Sequence, residues 1–368
     1  MKCVMKATSY GQNNTLKHIK KSQGSSEPTA QTEVINLPKI PHPYVKRMKL
    51  VTSLQSSSCR LRLLIAPAGY GKTVLMADCA RTASCKVVWV PLSGRKLTFD
   101  EFIHQLADAI WPDSGPWTEA SLQNALCRHE HKLWLMIDNF PCGVEQGFDK
   151  AFSQLLTSHA DNISWWVTSR QRPGINFPRL ILEGNLLEIS VDELAFNSDE
   201  TNSLLCSAGI SALQARDIFI RSGGWCAEII LHLRIGADVR TTLLEYLKYE
   251  ILSDLNTVEI EQLISLSHIP MFDEGLYNEL FGLSLKSDKR ITSLIEQKTV
   301  LVSSNRRHKG FRLIRPIAEL LAPMLQDKKI RGLHFKAYQY YIRMGENHLA
   351  IEQAILADQP VTAAKRLE

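Results

Sequence analysis

The chain has 368 residues, 45% of them hydrophobic and 22% charged, with a formal net charge of +5. That size and apolar content support two or three domains with substantial cores, and no apolar run approaches the ~18–20 residues of a membrane helix. The first 50 residues hold nine Lys/Arg against two Asp/Glu, which leaves the rest of the chain slightly acidic. The basicity therefore belongs to the leader and makes no case for nucleic-acid binding by the folded body.

Eight cysteines without a CxxC pair argue against a zinc site. With no apolar segment behind the charged start, they argue for reduced thiols in the cytoplasm. Residues 1–38, rich in Ser, Thr, Gln, Asn and Lys, read as a disordered basic leader. "KIPHPYVKRMKLVTSL" (Lys39–Leu54) follows as a prolyl entry into a short helix. Strands are expected at 62–66, 86–92, 132–138, 164–170 and 186–190, alternating with helices such as 98–110 and 148–160. In the first of these helices Phe102, Ile103, Leu106, Ala109 and Ile110 form an apolar face. Strands buried on both sides between amphipathic helices indicate a three-layer α/β domain with a parallel sheet, over residues 39–191.

Residues 192–254 are helical in pattern, punctuated by Gly223 and Gly224. Residues 255–325 contain helices and then "VLVSSNRRHKGFRLI", two short β runs around a polar turn, the pattern of a winged-helix wing. Residues 326–368 space small and aromatic residues as a TPR-like helical repeat does. A single repeat cannot bury its own face. The chain is therefore expected to be the N-terminal part of a longer protein whose repeats only begin here.

"APAGYGKT" carries the chemistry. Between a strand and a helix, the backbone N–H groups of Ala66, Pro67, Ala68, Gly69, Tyr70, Gly71, Lys72 and Thr73, proline excepted, would cradle the phosphates of ATP or ADP. Lys72 would reach the β- and γ-phosphates, and the Thr73 hydroxyl would ligate Mg²⁺. Ala66 stands where such loops open with glycine, and its methyl group is tolerable if φ stays negative. Asp138, closing the apolar run "LWLMID", is the candidate second Mg²⁺ ligand. An aspartate ending a strand is ordinary by itself and gains its meaning from the lysine loop. Asn139 beside it can orient a water but cannot take its proton, so Asp138 and Asn139 are read as a slow catalytic pair at most. Arg170, ending the next strand, could contact a γ-phosphate; an arginine opening a loop is common, and alone it decides little. "LSGR" at 92–95 reads as a loop and not as an ABC-type signature.

"APAGYGKT", "VWVPL", "LMIDNF", "VTSR", "LLEISVDELAFNSDE" and "GGWCAEIILHL" stand in the order seen in MalT-like ATP-dependent regulators. These are LuxR-class transcriptional activators within the STAND group of P-loop ATPases, and the resemblance covers residue 39 to the end. "ELAF" and "GGW" are the more specific signals. The resemblance implies a P-loop domain, a helical domain, a winged-helix domain and helical repeats. It also implies a switch that holds ADP when closed and self-associates on binding ATP and a small-molecule inducer. DNA and RNA polymerase would be engaged only through a C-terminal region beyond this chain, and no membrane is involved. By the same resemblance Arg47 in "YVKRMKL" lies near the adenine. Arg315 takes the place of a winged-helix histidine that touches the ADP β-phosphate. An alternative reading is a nucleotide-locked interaction module without DNA binding. A generic P-loop enzyme is a third reading, without an acceptor-substrate motif to support it.

Overall fold

The computed structural model describes residues 37–93, 97–141, 147–157, 162–170, 172–236, 239–250, 252–285, 288, 291, 292, 294, 301–304 and 310–359. Nearly all of the leader, the Gly94–Arg95 half of "LSGR", most of 286–300, the wing turn at 305–309 and residues 360–368 lie outside them.

Five strands build one sheet: β1 (Leu61–Ile65), β2 (Lys86–Pro91), β3 (Leu133–Phe140), β4 (Ile163–Ser169) and β5 (Leu186–Ile189). Their order is β2-β3-β4-β1-β5, and every neighbouring pair is parallel. The five-stranded parallel sheet with its helices matches a P-loop NTPase fold. Successive side chains of a strand face opposite sides, so adjacent apolar residues enter different layers. Leu63 and Trp165 join one core, while Leu64 and Trp166 join the other. This is why the strands read as continuous apolar runs instead of alternating ones.

The first layer consists of α3 (Phe99–Ile110), α4 (Glu119–Cys127), α5 (Phe148–Thr157) and α6 (Phe177–Leu182). Its centre is a knot of Phe102, Phe140, Phe148 and Phe152, whose rings meet mostly edge-on or tilted at 5.0–6.4 Å. Helix α3 starts with a reciprocal capping box between Thr98 and Glu101. It buries Phe99, Phe102, Ile103, Leu106, Ala107 and Ile110. The face is therefore rotated slightly from the expected one: Ala107 is interior and Ala109 only partly covered. The positions 99, 103, 106 and 110 hold the i, i+4, i+7 spacing, and 107 belongs to that stripe.

The opposite layer holds α1 (Met48–Ser56) and α2 (Lys72–Arg81). Then come α7 (Val191–Leu194), α8 (Ser198–Ser207), α9 (Ala212–Ser222), α10 (Cys226–Ile235) and α11 (Val239–Glu250). They are followed by α12 (Thr257–Leu266), α13 (Glu274–Phe281), an antiparallel hairpin of β6 (Leu301–Ser304) and β7 (Gly310–Leu313), and helices at Arg315–Leu321, Asp327–Met344 and Asn347–Leu356. Phe272 and Phe311 exchange backbone hydrogen bonds of 2.8 and 2.6 Å, which ties the hairpin to the α12–α13 connection. One apolar cluster runs from Met136 and Trp166 in the sheet through Trp225 and Leu243 to Phe272, Tyr277 and Tyr341. The sheet's second face is thus packed continuously into the C-terminal helices, and movement of those helices against the sheet must disturb a shared core.

Candidate functional site

Residues 66–73 leave the C-terminal end of β1 and enter α2. Gly69 and Gly71 take φ of +81° and +76°, a region that side-chain-bearing residues avoid. Gly71 is the left-handed N-cap of α2, which points the first N–H groups of that helix at the loop's concavity. Ala66 keeps a negative φ: among the described non-glycine residues only Asp113, Asn139 and Asp358 have positive values. Its methyl group is buried, and its N–H bonds to the Ser169 carbonyl at 3.3 Å.

The Lys72 ammonium folds back over the loop and donates to the carbonyls of Ala66 at 2.6 Å and Pro67 at 2.8 Å. The strand order explains the rest of the arrangement. β4 lies between β3 and β1, so its C-terminal end sits beside both Asp138 and the start of the loop. Asp138 Oδ1 accepts from the Thr73 hydroxyl at 2.9 Å and from the Thr168 hydroxyl at 2.6 Å. Thr168 also accepts from the Asn139 backbone N–H at 2.8 Å. The structure therefore brings Thr73 and Asp138 together and adds Thr168, a buried residue not singled out in the sequence. Its signal lay in "VTSR", two positions before Arg170, and a hydroxyl at a strand end is too common to draw notice by itself.

Asn139 has a different environment. The β3–β4 register shifts between Ile137 and Phe140, and Asn139 sits in that irregularity with φ +61°. Asparagine tolerates this left-handed conformation better than most residues. Its amide donates to the Leu92 carbonyl at 3.3 Å, while the Leu92 N–H donates to the Asp138 carbonyl at 2.9 Å. The side chain thus latches the end of β3 to the end of β2.

The loop has a lid-like neighbour from the helical segment. Gly223 (φ +57°) and Gly224 (φ +82°) end α9 and turn the chain so that Trp225 and α10 meet the loop. The Trp225 indole N–H donates to the Ala68 carbonyl at 3.1 Å, and the Ala227 N–H donates to the Gly69 carbonyl at 2.9 Å. A Cβ on Gly69 would lie 2.7 Å from both Ala227 Cβ and Trp225 Nε1. Glycine is needed there for close approach as well as for φ. Burial pushes the Tyr70 phenol well above its ordinary range and the Cys226 thiol up to about 12, so both are neutral packing groups at this junction.

The three arginines are placed apart from the concavity of the loop 66–73 or beside it. Arg47 precedes α1 and spends its guanidinium on the 193–200 segment. It donates to the carbonyls of Leu194 (2.6 Å), Glu193 (2.9 Å) and Ala195 (3.1 Å) and pairs with Glu200 at 2.9 Å. It thereby clamps "ELAF", whose neighbour is the Gly224 turn through the 2.9 Å bond from the Phe196 N–H to the Gly224 carbonyl. Arg170 follows β4 directly, level with the loop's first residues. Arg315 opens the helix Arg315–Leu321 and pairs with Glu319 at 2.8 Å. It lines a cleft with Arg221 and His232, and no residue of 66–73 lines that cleft.

Oxygen donors of the Thr73–Asp138 type, one hydroxyl and one carboxylate 2.9 Å apart, suit Mg²⁺, which takes few protein ligands and completes its shell with phosphate and water. Among the described residues no group of three or more His, Cys, Asp or Glu could hold a metal by itself. The six cysteines described are free thiols. No described helix is long and apolar enough to cross a membrane.

No protein-family model matches the sequence. The chain is 24% identical over 366 residues to the serine/threonine-protein kinase PknK of Mycobacterium tuberculosis and of Mycobacterium bovis. That match covers 88% of this chain and 33% of the relative, so the chain spans about a third of the length of the curated relatives it matches. Solved structures similar to it include the Walker-type ATPase of Pyrococcus abyssi, with a TM-score of 0.46 and 14% identity over 74% of this chain and 93% of that one. Another is a STAND protein with a tetratricopeptide repeat sensor from Pyrococcus horikoshii, with a TM-score of 0.42 and 15% identity over 87% and 49% of the two chains.

Proposed function

We propose that this chain is the nucleotide-binding switch of an ATP-dependent signal-transducing regulator of the MalT-like type. The observation that carries the reading is the docking of Trp225 and Ala227 onto the carbonyls of Ala68 and Gly69. A loop built to hold phosphates is thereby in direct contact with the helical segment, so its occupancy can bias the position of that segment. Lys72 would exchange its two loop carbonyls for phosphate oxygens, a stronger charge-assisted pairing. Thr73 and Asp138 would hold Mg²⁺, which supplies charge neutralisation at the phosphates. Arg170 is assigned to the γ-phosphate, Arg47 to the adenine side through the 193–196 segment, and Arg315 to a phosphate contact in a closed arrangement of the helices. The ligands are ATP and ADP with a small-molecule inducer, the place is the cytoplasm, and the output is self-association and gene activation. Sedimentation velocity tests this: the protein is expected to be monomeric with ADP and to form larger species with ATP and Mg²⁺. Identical sedimentation in the two nucleotides would remove the switch.

A second reading, a nucleotide-locked interaction module, is favoured by Asn139. Its amide is engaged with Leu92 and offers no base to an attacking water. Asn139→Asp gives up that bond and gains a proton acceptor. Phosphate release from ATP is expected to rise on the order of tenfold, less than the ~10²–10⁴ of a well-positioned base. An unchanged rate places the attacking water away from residue 139.

A further inference from the structure

We propose that a cavity at the N-terminal edge of the sheet, opposite the loop 66–73, is a second binding site, for a small ligand bearing a phosphate or carboxylate group. The cavity, about 580 Å³, opens where all five strands begin. Arg60, Arg62 and Lys132 line it together with four serines and the amides of Asn162 and Asn185. Among its described lining residues there is no aspartate or glutamate. The carboxylate of Glu183 accepts from the Asn185 amide at 3.2 Å, pairs with Arg179 at 2.8 Å and feels the charge of Arg60.

Arg62 is the unusual member. It is 2% exposed and its guanidinium stacks over the Trp166 ring at 4.7 Å. Its hydrogen-bond acceptors are carbonyls at the end of α1: Leu54 at 2.6 Å, Cys59 at 2.9 Å, and Ser57. Those bonds use three of the five N–H groups of a guanidinium. A buried cation normally has a carboxylate partner, because desolvation without one is costly. Here neutral carbonyls and an aromatic face share the charge, and the cavity beside it adds Arg60 and Lys132 with serine hydroxyls, while the Asn162 amide donates to the carbonyls of His129 and His131 and the Asn185 amide to Glu183. Three cations and four serines, with no acid among the described lining residues, match the chemistry of an oxyanion. The volume lies within the ~300–1,000 Å³ of small-molecule sites, so the anionic group belongs to a larger molecule, with the Trp134 indole as an apolar wall. The P-loop lies at the opposite ends of the same strands, so this site is separate from the nucleotide site.

The test uses the full chain carrying Lys72→Ala, so that the phosphate loop does not compete. Pyrophosphate and citrate are titrated by calorimetry as probes for the phosphate and carboxylate classes, with sodium chloride at matched ionic strength as the reference. At least one probe is expected to bind saturably. Lys132→Glu, at an exposed position on the rim, is expected to weaken that binding about tenfold or more, since it replaces an attraction with a repulsion. Ser84→Asp, exposed on the same rim, gives an independent check, and the melting temperature without probe reports that each variant folds. Binding of pyrophosphate alone, of citrate alone or of both supports the site and states its class. Absence of binding by either, heats reproduced by sodium chloride, or affinity unmoved by both substitutions would overturn it.

Discussion

Lys72→Ala is expected to lower the affinity for ATP and for ADP by ~100-fold or more, because charge-assisted hydrogen bonds of about 1.5–3 kcal/mol each disappear. The ammonium already lies against the Ala66 and Pro67 carbonyls, within the loop's own concavity. A phosphate entering there meets the one side chain of residues 66–73 that carries a positive charge. Titration with a fluorescent ATP analogue measures the loss. A melting curve without nucleotide separates it from unfolding. Normal affinity in Lys72→Ala would falsify the phosphate loop and with it the proposed switch.

Gly224→Ala is expected to be the most damaging glycine-to-alanine substitution among the described residues. The residue has φ +82°, and a Cβ there would stand 2.3 Å from the Phe196 carbonyl oxygen and 3.2 Å from the Phe196 nitrogen. Backbone cannot move aside as a flexible side chain can, and the two segments are joined at this point by the hydrogen bond from the Phe196 N–H to the Gly224 carbonyl. Left-handed strain contributes about 1–2 kcal/mol, and the forced separation of the two segments adds the loss of a buried hydrogen bond at about 1–3 kcal/mol. A fall in stability of about 3 kcal/mol or more by urea unfolding follows. Because this turn delivers Trp225 to Ala68, nucleotide affinity should change with it. Gly71→Ala is the informative contrast: its φ is also positive, but a Cβ there meets nothing within 4 Å. It should cost the strain alone.

The sheet was legible because its strands are uninterrupted apolar runs, and such runs between amphipathic helices leave few alternatives to a buried parallel sheet. The loop's conformation was legible because its two glycines take the positive φ that the turn from β1 into α2 requires, within eight consecutive residues. Thr168 was not, since nothing local distinguishes its hydroxyl from any other; it matters only because β4 lies between β3 and β1. The role of Asn139 also changes with its backbone. Its residue type suggested missing base chemistry, while its φ of +61° and its bond to Leu92 supply a conformational reason for asparagine at that place. Arg47 and Arg315, carried by resemblance, engage Glu200 and Glu319 in this arrangement.

"APAGYGKT" and "LWLMID" by themselves determined a strand-loop-helix with a lysine at its mouth and an acid at a neighbouring strand end, because backbone angles and apolar runs are local properties. Strand order, the Thr73–Asp138–Thr168 chain, the seating of Trp225 on the loop and the acid-free cavity around Arg62 were decided by tertiary structure. Each depends on residues dozens to more than a hundred positions apart, and only packing of the shared core brings their polar atoms within hydrogen-bonding distance.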